Sequence, residues 1–94
     1  MGPGEREAKT YKIRLQKSAE KELSKLSPDI CKRIIQKIDL LSLNPFPPGV
    51  KKLSDEHDLY RIRVGDYRII YQVENNILVI IVVKIGHRRE VYRK

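Results

Sequence analysis

One segment near the C-terminal end limits the possible folds more than any other. ILVIIVVKI, residues 77–85, is apolar at every position except Lys84, and most of its residues are β-branched. Such residues favour strands, and a short continuous apolar run is typical of a strand inside a sheet. We therefore expect this segment to be a central strand that is covered on both faces, or nearly so.

Two further strands precede this segment. LYRIRV, residues 59–64, and the segment from Tyr67 to Glu74 are rich in β-branched and aromatic residues. The pairs Gly65-Asp66 and Asn75-Asn76 separate the three strands. Both pairs suit two-residue hairpin turns, because Gly and Asn adopt positive φ at little cost. The C-terminal half therefore predicts three consecutive antiparallel strands.

The chain before these strands begins with a strand and a helix. Tyr11, Ile13 and Leu15 alternate with basic residues, which is the period of a strand with one buried face. The segment SAEKELSKL follows, and we expect Ser18 to be the N-cap of a helix. Its apolar residues have helical spacing: Ala19, Leu23 and Leu26.

A second helix is predicted to begin at Ser27-Pro28, since the serine hydroxyl can accept a free N–H and proline suits the first helical position. One face of this helix is apolar. It consists of Ile30, Ile34, Ile38 and Leu41, with Cys31 and Ile35 beside them. The prolines of NPFPPG, residues 44–49, end the helix. A charged connection, residues 51–58, leads into the sheet.

These elements predict a single α+β domain. Ninety-four residues suffice for one domain, and we expect a flexible leader at residues 1–10 followed by one domain at residues 11–94. The predicted order is β-α-α-β-β-β, with the helix hairpin packed on one face of a small, mostly antiparallel sheet.

Composition restricts the function. Twenty Lys and Arg against twelve Asp and Glu give a net charge of +8, which suits a polyanionic partner such as RNA, although a merely soluble basic surface has the same charge. Cys31 is the only cysteine, which excludes an internal disulfide, and we expect it to be buried. No apolar run approaches the length of a membrane span, and we expect a soluble intracellular protein.

Arginines are predicted to gather on one face of the first hairpin. Arg61 and Arg63 project from the same side of their strand. If Gly65-Asp66 is the turn, Arg63 pairs with Arg68 across the hairpin. Like charges placed opposite each other destabilise a sheet, and a bound phosphate would offset their repulsion. The alternative is a solvated face whose arginines pair with nearby carboxylates, Asp66 or Glu74.

The C-terminal segment adds further cations and an aromatic ring: Arg88, Arg89, Tyr92 and Arg93. Tyr92 is a candidate for stacking on a base or for proton transfer, and the alternative is an aromatic side chain that closes the core. His87 adjoins these cations and is a candidate for titration near neutral pH, whereas we expect His57 to be a surface residue. The histidines lack the spacing of a metal site, and we expect no metal.

The segments LYRIRVGDYRIIYQV and IGHRREVYRK, in the order of elements given above, resemble the RelE branch of the RelE/ParE toxin superfamily. The resemblance covers nearly the whole chain after residue 10. It implies a type II toxin that cleaves mRNA in the ribosomal decoding site without a metal or other cofactor, located in the cytoplasm. It also implies a RelB-like antitoxin as partner, together with the ribosome and mRNA, and no membrane.

The resemblance also implies site residues. The family's basic positions match Arg61 and Arg63 on the first hairpin strand, Arg68 on the second, and Arg88, while its terminal tyrosine matches Tyr92. Several members carry lysine where this chain has Arg61 and Arg63, and the shorter end of this chain leaves Arg88 and Arg89 interchangeable in the match. Further RNA contacts are expected from four residues: Arg89, Arg93, Lys51 and Lys52.

The implied reaction is attack of an RNA 2′-hydroxyl on the adjacent phosphate. Arginine keeps its proton above pH 12, so the hairpin arginines are expected to act electrostatically and not as bases. Tyr92, or alternatively His87, would carry the proton. Two other functions fit the same sequence: a ParE-like inhibitor of DNA gyrase without nuclease activity, and a non-catalytic basic RNA-binding module.

Overall fold

The computed structural model describes residues 10–87. Its elements, in chain order, are β1 (Lys12–Leu15), α1 (Lys17–Ser24), α2 (Pro28–Leu43), β2 (Lys51–Ser54), β3 (Leu59–Val64), β4 (Tyr67–Glu74) and β5 (Val79–His87). Four predicted site residues lie outside the described part of the chain: Arg88, Arg89, Tyr92 and Arg93.

The predicted α+β architecture is confirmed. The five strands form one sheet in the order β1-β5-β4-β3-β2, in which β1 runs parallel to β5 and every other neighbouring pair is antiparallel. One strand was not predicted, since β2 lies in the segment that we expected to be a connection. Among the strands of residues 10–87, its four residues, KKLS, pair only with β3 and form an edge, where lysines are common because they discourage pairing with other chains.

The two helices pack on one face of the sheet and bury its apolar side chains. The buried core contains residues from both helices and from the three central strands. These residues are Ala19, Ile34, Ile38, Leu41, Ile62, Ile69, Tyr71, Val73, Ile80, Val82 and Ile85. We call this side of the sheet the helix-covered face. On the other side of β5, alternate residues such as Ile81 and Val83 are half-buried, so the strand is fully covered on one face and partly covered on the other.

The predicted helix starts were right for α2 and wrong for α1. Ser27 is the N-cap of α2, and its hydroxyl accepts a hydrogen bond from the backbone N–H of Ile30 at 3.4 Å. In contrast, α1 begins at Lys17 after Gln16, which makes no side-chain cap. Ser18 lies inside the first turn, where its hydroxyl donates to the carbonyl oxygen of Val83 at 3.5 Å. A contact with β5 therefore replaces the local cap.

The two hairpin turns differ from each other. Val64 pairs with Tyr67, so Gly65-Asp66 is the predicted two-residue turn, and Gly65 has a φ of +60°. The turn predicted at Asn75-Asn76 is instead a four-residue loop, because Glu74 pairs with Val79. Leu78 carries the positive φ there, at +54°, and Ile77 is 67% exposed. Strand β5 thus begins two residues later than expected.

The proline-rich segment after α2 closes one end of the core. The hydroxyl of Tyr71 donates to the carbonyl oxygen of Pro45 at 2.6 Å, and the ring of Phe46 contacts that of Tyr60 edge to face. The pKa of Tyr71 is raised, mainly because its hydroxyl is buried and to a smaller extent because Tyr60 lies nearby. Cys31, which we expected to be buried, is only half-buried. No helix in residues 10–87 has the length and apolar character needed to cross a membrane.

Candidate functional site

The predicted pairing of arginines across the first hairpin is present. Arg63 of β3 lies opposite Arg68 of β4. Because neighbouring residues of a strand point to opposite sides, these two side chains lie on the face away from the helices. Arg61 is two residues from Arg63 and shares that face. The turn at Gly65 sets the register, so it also determines which cations meet.

Lys51 joins these arginines, whereas Lys52 does not. Lys51 is the β2 partner of Arg61, so its side chain lies on the same side of the sheet. Lys52 points to the other side, where its Nζ lies 3.2 Å from Asp55 and 5.6 Å from the centre of the Tyr60 ring. Hydrogen bonds to Asp55 and then Tyr60 raise the pKa of Lys52. We call the group formed by Lys51, Arg61, Arg63 and Arg68 the basic face.

Arg68 is the most deeply placed cation of the basic face. It is only 6% exposed, and its Nη1 donates to the carbonyl oxygen of Tyr67 at 3.4 Å. Gly86 of β5 lies opposite Arg68, and glycine has no side chain to occupy the space above the strand. Arg68 therefore lies at the base of the basic face, beside a residue without a side chain.

Asp66 and Glu74, the two carboxylates considered as partners of the hairpin arginines, form no ion pair within residues 10–87. Ion pairs in this part of the chain join Lys52 to Asp55, His57 to Glu56, and Lys84 to Glu22. The alternative in which these two carboxylates neutralise the arginines is therefore not supported.

Glu22 holds the end of β5 in place, and sequence reasoning missed it. Strand β1 pairs with β5 only as far as Val82, beyond which α1 covers the strand edge. One carboxylate oxygen of Glu22 accepts the backbone N–H of Ile85 at 2.8 Å, and the other lies 3.0 Å from the Nζ of Lys84. Glu22 thus supplies the acceptor that a neighbouring strand would have offered. Its spacing in α1 gave no sign of this contact.

His87 does not join the basic face. It pairs with Tyr67 at the end of the sheet, and the two rings meet edge to face with centroids 5.6 Å apart. Tyr67 alternates with Arg68, so His87 lies on the helix-covered side, where it lines a cavity of about 350 Å³ with Lys25 and Leu26. His57 is a surface residue beside Glu56, as expected.

The chemistry available on the basic face is anion binding. Guanidinium groups bind phosphate oxygens through paired hydrogen bonds and stay charged at all physiological pH values. None of the cations on this face is a general base at neutral pH. Residues 10–87 contain no group of three or more His, Cys, Asp or Glu side chains arranged to hold a metal ion.

Comparisons with known proteins agree on one family. Residues 13–92 match the model of the ParE toxin of type II toxin-antitoxin systems, parDE. Toxin RelE3 of Methanocaldococcus jannaschii is 35% identical over 85 residues, which cover 86% of this chain and 94% of that protein.

Solved structures lead to the same group. The RelE–RelB complex from Pyrococcus horikoshii contains a chain that superposes with a TM-score of 0.76 at 36% identity, over 84% of this chain and 96% of that one. The RelBE toxin–antitoxin complex of Escherichia coli gives a TM-score of 0.72 at 26% identity, over 82% and 95% of the two chains.

Proposed function

The chain belongs to the ParE toxin family of type II toxin–antitoxin systems, and from this premise we propose that it is a RelE-type endoribonuclease that cleaves mRNA on the ribosome. The observation that carries the proposal is the basic face, on which Arg63 and Arg68 lie directly opposite each other beside Arg61. Guanidinium groups that share one face bind phosphate oxygens through paired, charge-assisted hydrogen bonds.

The proposed reaction is an internal transfer at phosphorus. The 2′-oxygen of one nucleotide forms a bond to the adjacent phosphorus and loses its proton. The bond from phosphorus to the 5′-oxygen of the next nucleotide breaks, and that oxygen gains a proton. The products are a 2′,3′-cyclic phosphate and a 5′-hydroxyl end, so atoms and charge balance without a metal or other cofactor.

The hairpin arginines are assigned to the phosphate. Arg61, Arg63 and Arg68 would hold its oxygens and stabilise the charge that develops as the 2′-oxygen attacks. A well-placed donor of this kind contributes about 10²-fold to the rate. Arg88 is proposed to stabilise the departing oxygen. No strong base is assigned, so much of the rate would come from alignment of the three reacting atoms on the ribosome.

Tyr92 is the proposed proton carrier, or a ring on which a base stacks. A phenol is a weak base at neutral pH unless nearby cations favour its ionised form. His87 is the alternative carrier. Its contact with Tyr67 on the helix-covered side makes it the weaker of the two candidates.

An acidic antitoxin is the proposed regulatory partner. The chain carries a net charge of +8, and the chain that it resembles in Pyrococcus horikoshii is in a complex with RelB. Antitoxin, ribosome and mRNA would all be met in the cytoplasm, where we place the protein. A flexible acidic chain that folds on the toxin surface would cover the basic charges.

Primer extension tests the proposed activity. Purified protein is added to ribosomes that carry a defined mRNA and, separately, to the same mRNA alone. We expect new 5′-hydroxyl ends only on the ribosome-bound message. Folded protein that produces no ends in either reaction would contradict the proposal, and binding without cleavage would favour a non-catalytic RNA-binding module.

One observation favours a second candidate, inhibition of DNA gyrase. The matching family model is that of the ParE toxin, and the resemblance described from the sequence includes ParE-like inhibitors of DNA gyrase without nuclease activity. A supercoiling assay with gyrase, run beside the primer-extension assay, separates the two functions. Inhibited supercoiling together with intact mRNA would favour this second candidate.

A further inference from the structure

A second group of cations lies in a groove between α2 and the tip of the β3–β4 hairpin. The groove has a volume of about 360 Å³. Helix α2 contributes Arg33, Gln36, Lys37 and Leu40 to its lining. The β3–β4 hairpin contributes Arg63 and Gly65.

The groove exists because β2 is short. Lys51 and Arg61 form the last pair between β2 and β3, so no strand in residues 10–87 covers the edge of β3 from Ile62 to Val64. Helix α2 runs beside this edge. Arg33 and Lys37 are four residues apart, which places them on one side of the helix. Edge and helix together line a groove that is open to solvent.

Gly65 brings the hairpin turn close to Arg33. A Cβ added at residue 65 would lie 3.4 Å from Nη2 of Arg33, so the guanidinium lies against the glycine. The positive φ of Gly65 also suits the two-residue turn. This glycine therefore sets the register of the basic face and leaves room for a cation of the groove.

The groove attracts anions. Among residues 10–87, no carboxylate lines the groove, and none of the ion pairs includes Arg33, Lys37 or Arg63. Three cations that face one cavity repel one another, and a phosphate among them would offset that repulsion. The cavity is open to solvent and not enclosed, which suits one phosphate of a longer chain better than a small molecule that must be surrounded.

The groove is continuous with the basic face through Arg63, which lines the groove and also lies opposite Arg68. We infer that the groove binds a backbone phosphate of single-stranded RNA whose neighbouring nucleotides lie on the basic face. The inference rests on the proposed function and extends it with a second phosphate subsite. An acidic peptide fits less well, because Leu40 is the only large exposed apolar side chain of the groove and docked helices use several apolar anchors.

The experiment measures binding separately from cleavage. The ligand is a fluorescent RNA octanucleotide with 2′-O-methyl groups, which cannot undergo internal attack. The double variant Arg33→Gln/Lys37→Gln removes two groove charges. The matched control, Lys21→Gln/Lys32→Gln, removes two exposed helix charges outside the groove. Circular dichroism confirms that each variant is folded, and binding is measured over a range of salt concentrations.

We expect the groove variant to bind the octanucleotide about 10-fold more weakly and to lower the salt slope by about 0.7, the contribution of one single-strand phosphate contact. The control should retain nearly the wild-type slope. Equal losses in both variants, or no loss in the groove variant, would overturn the inference, and so would a wild type that does not bind the octanucleotide at low salt.

The same set of variants separates this inference from the proposed function. Loss of binding confined to the groove variant supports the subsite even if wild-type protein leaves ribosome-bound mRNA intact, which would refute only the proposed activity. Conversely, cleavage by the wild type with unchanged RNA binding in the groove variant would leave the nuclease proposal standing and remove the subsite. Weaker binding of an acidic peptide by the groove variant, with unchanged RNA binding, would assign the groove to a protein partner.

Discussion

The two faces of the sheet are formed by the same strands and differ in almost every physical property. On the helix-covered face, Ile62, Ile69 and Ile80 are at most 2% exposed and belong to the buried apolar core. On the basic face, Arg63 is exposed and lies opposite Arg68. One face removes apolar surface from water, whereas the other brings like charges together.

Because of this difference, neighbouring residues of one strand can contribute separately to stability and to the proposed activity. Arg68 and Ile69 are neighbours in β4, yet their side chains point to opposite sides. A substitution on the helix-covered face should change the free energy of unfolding, and a substitution on the basic face should change the rate of mRNA cleavage. The following predictions test that separation, beginning with the largest expected effect.

Ile69→Ala tests the helix-covered face. Ile69 is fully buried, and removing its larger side chain should lower the free energy of unfolding by about 2–5 kcal/mol through lost burial and a new cavity. Chemical denaturation followed by circular dichroism measures the change. The rate of mRNA cleavage per folded molecule should remain that of the wild type. A large decrease in this rate would contradict the separation of roles between the two faces.

Arg68→Ala tests the basic face one residue away. The substitution should reduce cleavage of ribosome-bound mRNA by about 10²-fold, because it removes a donor assigned to the developing charge. Primer-extension rates measure this loss, and binding of the antitoxin and the folded circular-dichroism spectrum should be retained. Arg68→Lys keeps the charge but not the paired donors, so its rate should lie between those of the wild type and Arg68→Ala.

Tyr92→Ala provides a second test of the same site assignment. It should relieve growth inhibition, as Arg68→Ala should. Expression of each variant without antitoxin measures toxicity in cells. If both variants remained fully toxic, the assignment of these residues to the reaction would fail.

Tyr71→Phe tests a polar contact within the helix-covered face. It removes the hydrogen bond to the Pro45 carbonyl and should cost about 1–2 kcal/mol, because that buried oxygen loses its donor. The folded protein raises the pKa of Tyr71 above the ordinary 10.0 of the unfolded chain. The Tyr71 hydroxyl therefore contributes its full stabilisation of the fold below pH 10, and this stabilisation declines as the pH rises further.

Alkaline unfolding curves check this sign. The difference in stability between the wild type and Tyr71→Phe should be constant below about pH 10 and should shrink above it. Tyr11→Phe is a matched control, since the Tyr11 hydroxyl donates to the side chain of Asn75 at an exposed site. A constant difference across the alkaline range would contradict the role given to the buried hydroxyl.

The basic face could be predicted from the sequence because it depends on local geometry. Once Gly65-Asp66 is a two-residue turn, alternation alone places Arg63 opposite Arg68. The apolar period of α2 and its Ser27 cap are equally local. The prediction of a two-residue turn at Asn75-Asn76 was wrong, because the residue types there did not determine the loop length. Glu74 pairs with Val79, so the loop has four residues.

Features that depend on distant neighbours could not be predicted. Glu22 looks like an ordinary helix-surface residue until β5 lies beside it and offers the N–H of Ile85. Strand β2 has a single large apolar residue, Leu53, and gave no periodic signal. The groove beside Arg33 depends on where that strand stops pairing. Its only sign in the sequence was the four-residue spacing between Arg33 and Lys37.

Lys51 and Lys52 offer the smallest and most discriminating test. They are neighbours in β2, but Lys51 pairs with Arg61 on the basic face, whereas Lys52 lies beside Asp55 and Tyr60. Lys51→Gln should lower the salt slope of octanucleotide binding by about 0.7, the contribution of one single-strand phosphate contact. Lys52→Gln should leave the slope unchanged, although both substitutions remove one positive charge. Equal slopes for the two variants would mean that RNA binding depends on the net charge of the protein. The proposal that RNA binds the basic face in particular would then be contradicted.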